Sequence, residues 1–433
     1  MENYLGVGRS DRGHIYKFKT GHVDEEWGVD HEALNDEENT EGELLENINI
    51  ASMKNARFDD ERWDYLLEQI TFEEAKNFVP NGGNSCKALQ SVSSPEVWQI
   101  DGPNGNVNKG LGDRALKIGP YAIKNSDPNY TYKTCDMPCE PIIAATFNKE
   151  LVQEEGESFG EASLWDGSKI CWAPGMNLHR LPFNSRNHEY YSEDPMLTNL
   201  MGISFVRGGL SKGAILSAKH FAFNVQETCR EGLSQLLKEQ AGRELELRGF
   251  QGIFEDVNFK TPGDNVTNTI GLMSSFSRLG VTAVNAHTGL MVHILREEMG
   301  FKGLISTDFV GRGNYFNPQD CAINYVTFMA CGSAPTFLKA DWAEYNNKAK
   351  NDPDMNRALK KVMKYYLYAV ANSNALNGFD ADTEVVDSST QVSAWQTALI
   401  AGGITSLSLS VFGVAFYVVL TNKRKKISIE EGE

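Results

Sequence analysis

Short apolar runs alternate with stretches of helical period along most of the chain. The runs EVWQI, PIIAATF, KICWAPGM, GAILSA, IGLMSSF and GLIS each have the length of a buried strand. Longer stretches such as NKELVQEEGESFGEASLW, MLTNLMGISFVRGGLSK and GLMVHILREEMGF have helical spacing and separate them. Strands that alternate with helices predict parallel pairing with crossover helices. Six or more such units in about 310 residues favour a TIM-like (β/α)8 barrel of the α/β class over an open doubly wound sheet.

The region before the first strand divides into two parts. From Arg57 the sequence RFDDERWDYLLEQITFEEAKNFV places Trp63, Leu66, Leu67 and Ile70 on one helical face. Residues 1–55 are acidic and weakly patterned, which is typical of a solvated linker or of the remnant of an upstream domain. We therefore predict that the barrel occupies residues 56–380. The net charge of −17 argues against a nucleic-acid partner, which requires a basic face.

The C-terminal region has the pattern of a single membrane span. Residues 398–420 carry no charge and are about long enough to cross a bilayer, and the basic sequence NKRKK follows almost at once. We predict a linker over 381–397, a transmembrane helix over 398–420, and a cytoplasmic tail over 421–433, with the barrel outside the cell. The N-terminus has no apolar signal-peptide core. We therefore expect that either the span itself directs export or the natural start lies further upstream.

The cysteines and glycines indicate neither a metal site nor a nucleotide site. The seven cysteines show no two close pairs with zinc-site spacing, although Cys135 and Cys139 are close enough to pair in a loop. The first strand is not followed by a glycine-rich dinucleotide fingerprint, and the chain has no phosphate-binding loop. We predict no metal and no cofactor.

Charged residues stop several of the apolar runs at their C-terminal ends. Asp101 follows EVWQI, the pair Lys219 and His220 follows GAILSA, and Asp308 comes shortly after GLIS. One such aspartate is usually a turn former or helix cap. In a barrel, however, the carboxyl ends of all strands converge on one face, where active sites lie. Several strand-end charges together therefore predict a site with acids and bases close to each other.

Five motifs in order give the chain a resemblance to a known family. They are IDGPNG, APGMNLHRLPFNSRNHEYYSEDP, AKHFAFNVQE, LMSSFSR and GLISTDF. From about residue 57 to residue 375 the chain resembles the barrel domain of glycoside hydrolase family 3, the β-glucosidase-type exoglycosidases. The segment ANSNALNG, 371–378, resembles the end of the barrel in members whose two domains occur in swapped order.

The resemblance implies a role for individual residues. It makes Asp308 the catalytic nucleophile. It implies substrate binding by Asp101, Arg186, Lys219, His220, Arg180 and Ser275. Asp101 has an alternative role as the start of the DGPNG turn, and Arg180 has one as an ion-pair partner that shapes its loop.

The implied activity is that of a retaining exo-β-glycosidase acting on a β-linked glycoside or oligosaccharide. Such an enzyme removes terminal non-reducing β-D-glycosyl residues through a covalent intermediate, here on Asp308, and needs a separate acid/base. In two-domain family members that acid is a Glu on an α/β sandwich domain, and the resemblance assigns it to no residue of this chain. We therefore expect a second domain to supply it.

Two departures from the family pattern support an alternative. Phe276 stands where the family usually has a Tyr beside the nucleophile, and Val225 replaces a common acid. These changes favour a non-catalytic, membrane-tethered sugar-binding barrel. An unrelated barrel, such as an aldolase with Lys219 as its Schiff-base lysine, fits the ordered motifs less well.

Overall fold

The structure is a computed structural model and describes most of the chain. The described residues are 48–83, 85–105, 136–230, 233–255, 270–310, 316–330, 345, 347–385 and 394–430. The chain divides into one compact unit that ends at Val385 and a second that begins at Val386. Cys135, which is close enough to Cys139 in the sequence to pair with it, lies outside the described residues.

A sheet of six strands forms the centre of the first unit. The strands of the described region are β1 (Ser85–Cys86), β2 (Val97–Asp101), β3 (Ile170–Trp172), β4 (Ile215–Phe221), β5 (Ser234–Gln235), β6 (Gly271–Ser274), β7 (Arg278–Leu279), β8 (Thr282–Ala283) and β9 (Leu304–Thr307). The central sheet has the order β1-β2-β3-β4-β6-β9, and β5, β7 and β8 form a small second sheet. Strand β1 is antiparallel to β2, and all later neighbours in the central sheet are parallel. In the described residues, five parallel strands with crossover helices form half of a barrel, in agreement with the predicted TIM-like fold.

Helices cover the sheet. Those of the described region are α1 (Arg62–Glu68), α2 (Phe72–Phe78), α3 (Glu140–Ala144), α4 (Lys149–Asp166), α5 (Pro195–Ser211), α6 (Glu239–Ala241), α7 (Arg248–Glu255), α8 (Pro318–Ile323), α9 (Pro353–Ala371) and α10 (Ala394–Glu430). Two further segments, Gly242–Glu246 and Gly289–Glu298, are π-helical. Short 3-10 turns lie at Ile50–Met53, Val79–Asn81, Gln90–Val92, Asn187–Glu189, Val284–Ala286 and Asn374–Leu376.

Helices α4 and α5 pack closely because glycines line their contact. A Cβ atom on Gly156 would lie 2.1 Å from the carbonyl oxygen of Phe205, and one on Gly208 would lie 2.2 Å from that of Gln153. Any side chain at either position would force the two helices apart. The Asn148 side chain caps α4 by accepting a hydrogen bond from the Leu151 amide at 3.0 Å. Helix α4 precedes β3 and helix α5 precedes β4, so this packing helps to hold the two strands beside each other.

One predicted strand is wrong. The run PIIAATF forms helix α3, Glu140–Ala144, and not a strand. Pro141 lies in the first turn of this helix, where its missing N–H is tolerated and its fixed φ suits helical geometry. A short apolar run cannot be distinguished from a buried helical turn by its period alone.

The predicted N-terminal helical region is confirmed, but packing begins earlier than predicted. Trp63, Leu66, Leu67 and Ile70 are all buried. Ile48 is also buried in the same core, although the barrel was predicted to begin at residue 56. The short turn after it, Ile50–Met53, packs on the long helix α9, so these residues belong to the barrel unit.

The second unit is described as one long helix, α10. Within it, Thr405–Lys423 is a 19-residue segment that is long and apolar enough to cross a membrane. This segment overlaps the span predicted over 398–420 and ends at Lys423, the first basic residue after that span. Length and composition are the only criteria that it meets.

Candidate functional site

The strand ends of the central sheet bring the predicted charges to one edge. Asp101 is the last residue of β2, Lys219 and His220 lie near the end of β4, and Asp308 directly follows β9. Because β2, β4 and β9 run in the same direction, their carboxyl ends lie at the same edge of the barrel. This placement brings the four residues to one edge, and their common role in a site stays a prediction.

Asp101 and Lys219 form an ion pair across the sheet. The Lys219 Nζ atom donates to Asp101 Oδ1 at 2.8 Å, and the Gly102 amide donates to the same oxygen at 2.9 Å. The Lys219 side chain is 3% exposed, whereas that of Asp101 is 57% exposed. Desolvation favours the neutral acid, but the charge and hydrogen bond of Lys219 outweigh it and hold the pKa of Asp101 below its ordinary value. The pair therefore presents an ionised, accessible carboxylate beside a buried ammonium group.

Arg186 lies at the centre of a second group of charges. Its Nε donates to Glu189 Oε1 at 3.0 Å and its Nη2 lies 2.5 Å from Glu189 Oε2, which is a bidentate arrangement. Its Nη1 lies 3.7 Å from Glu227 Oε1, and the other oxygen of Glu227 lies 3.0 Å from Arg230 Nη1. Glu189 also lies 3.8 Å from Lys219, so this group is continuous with the first ion pair.

Hydrogen bonds to the main chain and to the ring hold His220 in place, and the ring is uncharged. Its main-chain N–H and C=O bond to the Asn177 side chain at 2.8 and 3.0 Å, and its Nδ1 lies 3.3 Å from the Tyr190 hydroxyl. Burial, together with the nearby charges of Arg186 and Lys219, lowers the pKa of His220 well below its ordinary value. Its Nε2 lies 3.8 Å from Asp308 Oδ2, so a neutral ring stands beside that carboxyl group.

Hydrogen bonds that involve the main chain hold Asp308 at the end of β9. Its amide donates to Ser274 O at 3.0 Å, and the Phe309 amide donates to its Oδ1 at 2.6 Å. Burial raises the pKa of Asp308, while the charges of Arg230 and Arg186 oppose that rise. Burial is the larger effect, so the pKa of Asp308 lies above its ordinary value, and the cations of the site limit that rise.

Ser275 and Arg180 have contacts of a more structural kind. The Ser275 hydroxyl donates to Ala222 O at 2.6 Å and accepts from the Ser277 amide at 3.2 Å, so it joins the loops after β4 and β6. Arg180 is 44% exposed and pairs with Glu246 at 3.3 Å. This ion pair is the alternative that the sequence left open for Arg180. Substrate binding by either residue stays a prediction.

Sequence reasoning missed two residues that complete the site. Glu227 and Arg230 follow the AKHFAFN segment within a few positions, and no run of apolar residues draws attention to them. Glu227 accepts from Asn224 at 2.9 Å in addition to its two arginine contacts. The Arg230 guanidinium lies 4.6 Å from the centre of the Phe276 ring, which itself stacks on Phe316. Glu227 and Arg230 follow His220 by seven and ten positions, and charged residues this soon after the Lys-His motif were the available signal.

The described part of the chain contains no group of three or more His, Cys, Asp or Glu side chains that could hold a metal ion. The site described above consists of carboxylates, cations and amide or hydroxyl groups. Side chains of these types suit a neutral ligand with many hydroxyl groups, since they supply both donors and acceptors.

The fold and the site define an α/β barrel with paired carboxylates and cations at its carboxyl edge. Residues 131–329 match the model of the glycosyl hydrolase family 3 N terminal domain. Through this barrel, the chain is a member of glycosyl hydrolase family 3.

Curated relatives and solved structures agree with that membership. The chain is 32% identical over 316 residues to a beta-glucosidase of Ruminococcus albus, covering 70% of this chain and 30% of that protein. It is 28% identical over 249 residues to a beta-glucosidase of Rhizobium radiobacter, covering 57% of this chain and 27% of that protein. Beta-glucosidase 3B of Thermotoga neapolitana, solved with alpha-D-glucose, superposes with a TM-score of 0.63 at 28% identity, over 74% of this chain and 44% of that one. The chain thus spans about 30% of the length of these curated relatives.

Proposed function

We propose that this barrel is the sugar-binding and nucleophile-bearing domain of a retaining β-glucosidase-type glycoside hydrolase. The observation that carries the proposal is the meeting of Asp308 with His220 and with the Asp101–Lys219 pair at one edge of the barrel. The names of the relatives favour a terminal β-glucosyl residue as the substrate.

The chemistry follows from these groups. One oxygen of the ionised Asp308 attacks the anomeric carbon, the bond to the leaving oxygen breaks with its electron pair, and a glycosyl ester forms. Water then cleaves the ester with the help of a general base. Asp101, Lys219, His220 and Arg186 bind the sugar hydroxyls, and the loss of any one leaves its partner unpaired, which makes recognition strict.

We propose that the acid/base and the membrane attachment come from beyond the barrel. Family resemblance puts the acid on a second α/β sandwich domain, in this chain or another. The apolar segment Thr405–Lys423 would anchor the barrel outside the cell, with the basic residues after it on the cytoplasmic side.

A second candidate function is a tethered sugar-binding barrel without turnover. Phe276 favours it, because this buried ring lacks the hydroxyl that could donate to Asp308, and it packs between Arg230 and Phe316. Sugar binding would survive in such a protein, since the Asp101–Lys219 pair does not depend on Phe276.

Active-site labelling tests the two candidates. The full chain, in detergent micelles, is incubated with a 2-deoxy-2-fluoro-glucoside whose dinitrophenolate leaving group departs without acid assistance. A stable adduct that peptide mapping places on Asp308 supports the hydrolase. A folded protein that binds glucose but forms no adduct supports the binding protein. A folded protein that does neither overturns both.

Replacing Arg230 with glutamine is expected to move the acidic limb of activity to higher pH. Arg230 lowers the pKa of Asp308, so its removal raises that pKa, and the nucleophile becomes protonated at a higher pH. We expect a shift of about one pH unit in the acidic limb of kcat/KM for dinitrophenyl glucoside.

Arg243→Gln is the matched control for this experiment. Arg243 pairs with Glu239 and Glu298 away from the strand ends, so its loss should leave the acidic limb in place. An unmoved limb in Arg230→Gln would show that Arg230 does not act on the nucleophile.

A further inference from the structure

A chain of buried hydrogen bonds leads from Glu227 to the ring of His220, and the proposed chemistry gives it no role. Glu227 Oε1 accepts from Asn224 Nδ2 at 2.9 Å, and the same amide nitrogen donates to the Tyr190 hydroxyl at 2.9 Å. That hydroxyl lies 3.3 Å from His220 Nδ1. Tyr190, Asn224 and His220 are each no more than 2% exposed. Bulk water therefore has little access to these groups, and they satisfy one another.

The charge of Glu227 sets the direction of the first two hydrogen bonds. Glu227 lies 3.7 Å from Arg186 and 3.0 Å from Arg230, and as the carboxylate partner of these arginines it can only accept. The Asn224 amide turns its NH2 group toward Glu227, because the opposite orientation would bring two acceptor oxygens within 2.9 Å of each other. The second hydrogen of that NH2 group is then directed at the Tyr190 hydroxyl oxygen.

The Tyr190 hydroxyl transmits this direction to the imidazole ring. Its oxygen accepts from Asn224, so its own hydrogen goes to its other partner among the described contacts, His220 Nδ1. Burial, together with the charges of Arg186 and Lys219, lowers the pKa of His220 well below its ordinary value. A neutral imidazole has one N–H and one acceptor nitrogen. Because Nδ1 is the acceptor, the hydrogen of the ring is on Nε2.

We propose that Tyr190 is a positioning residue that fixes His220 in the Nε2–H tautomer, so that the ring offers a hydrogen-bond donor beside Asp308. His220 Nε2 lies 3.8 Å from Asp308 Oδ2, which is longer than a direct hydrogen bond. A donor at this place suits the oxygen of a sugar hydroxyl next to the carboxyl group. The other tautomer would direct a lone pair toward the same carboxylate, so that two acceptors would face each other. The role in sugar binding rests on the proposed function, whereas the tautomer does not.

The first test reads the tautomer directly and does not depend on sugar binding. The full chain, in detergent micelles at pH 7, is labelled with 15N-histidine, and the ring signals that disappear in His220→Gln belong to His220. Two-bond 1H–15N correlations distinguish the protonated ring nitrogen from the unprotonated one. We expect a proton on Nε2 and an unprotonated, hydrogen-bonded Nδ1. A proton on Nδ1 in the wild-type protein would overturn the proposal.

Asn224→Asp should reverse the hydrogen bonds with little change in shape. The new carboxylate can only accept, so the Tyr190 hydroxyl donates to it and turns a lone pair toward His220. Nδ1 of His220 should then take the proton from Nε2. In the double variant Asn224→Asp with Tyr190→Phe, Nδ1 has no hydroxyl partner and Nε2 still faces Asp308, so the proton should be on Nε2 again. A proton on Nδ1 in the double variant would show that Tyr190 does not transmit the effect.

Asn187→Asp is the matched control. It adds the same charge in the loop that carries Tyr190, but the Asn187 side chain donates to Leu181 O at 3.0 Å and not to Tyr190. The His220 ring of this variant should keep the wild-type tautomer. A proton on Nδ1 in the control would show that added charge alone moves it, and would overturn the part assigned to Tyr190.

Affinity for D-glucose gives the second readout. Calorimetric titration at pH 7 should show about tenfold weaker binding by Asn224→Asp than by the wild type, since an unpaired acceptor replaces a donor at the sugar. Wild-type affinity in a variant whose proton has moved to Nδ1 would refute the effect of the tautomer on binding. A wild-type protein that has the Nε2–H tautomer and does not bind glucose would instead refute the proposed function alone.

Discussion

Replacing Asp308 with alanine is expected to reduce the turnover of dinitrophenyl β-glucoside on the order of 10⁴-fold, because it removes the proposed nucleophile of the first step. The leaving group departs without acid assistance, so the rate depends on attack at the anomeric carbon alone. The measurement is the release of dinitrophenolate by wild-type and variant protein at equal concentration. Glucose affinity should change far less than turnover, since Asp308 is not part of the Asp101–Lys219 pair.

Azide gives this prediction a positive signal. In Asp308→Ala, the small anion can enter the space that the carboxylate leaves and attack the same face of the sugar. Turnover should then recover in part, and the product should be the α-glucosyl azide, with the configuration inverted relative to the substrate. Wild-type turnover in the variant would contradict the assignment of Asp308. A glucosyl azide product with the β configuration would also contradict it.

Replacing Lys219 with methionine is expected to weaken glucose binding about 10²- to 10³-fold. Lys219 is buried and donates to Asp101 at 2.8 Å, so its loss removes one proposed sugar ligand and leaves the Asp101 carboxylate without its counter-charge. Truncating one partner of a buried, hydrogen-bonded charge pair commonly costs about 2–5 kcal/mol. Calorimetric titration with D-glucose at pH 7 measures the effect directly.

Lys212→Met is the control for that measurement. Lys212 is of the same residue type, lies seven positions earlier in the sequence, and pairs with Glu161 at 3.4 Å at the far end of helix α5. Its replacement should leave glucose affinity unchanged. Equal losses of affinity in both variants would mean that the effect of Lys219→Met comes from a general loss of structure.

The order of strands and helices could be predicted from the sequence because the hydrophobic residues follow strand and helix periods in alternation. Strands β2, β4 and β9 lie where the apolar runs predicted them, and Trp63 with its helical neighbours is buried as expected. Helix α3 was not accessible, since a five-residue buried helix and a buried strand have the same apolar composition. The close packing of α4 on α5 depends on Gly156 and Gly208, whose roles appear only when both helices are placed.

The sequence identified only those candidate site residues that lie at the ends of strands. Asp101, Lys219, His220 and Asp308 each end an apolar run, and the barrel geometry then brings them together. The contacts that join Glu227 to Arg186 and Arg230 come from loops, and loop conformation follows from tertiary packing rather than from periodicity.

The charges at the barrel edge balance almost completely. Six side chains connected through ion pairs carry equal numbers of positive and negative charges: Asp101, Glu189, Glu227, Lys219, Arg186 and Arg230. With His220 neutral, an ionised Asp308 adds one negative charge to this balanced group. In the proposed reaction, this net negative charge would face the positive charge that develops on a sugar ring as its bond breaks. The glycosyl ester on Asp308 would then leave this part of the barrel electrically neutral until water released the sugar.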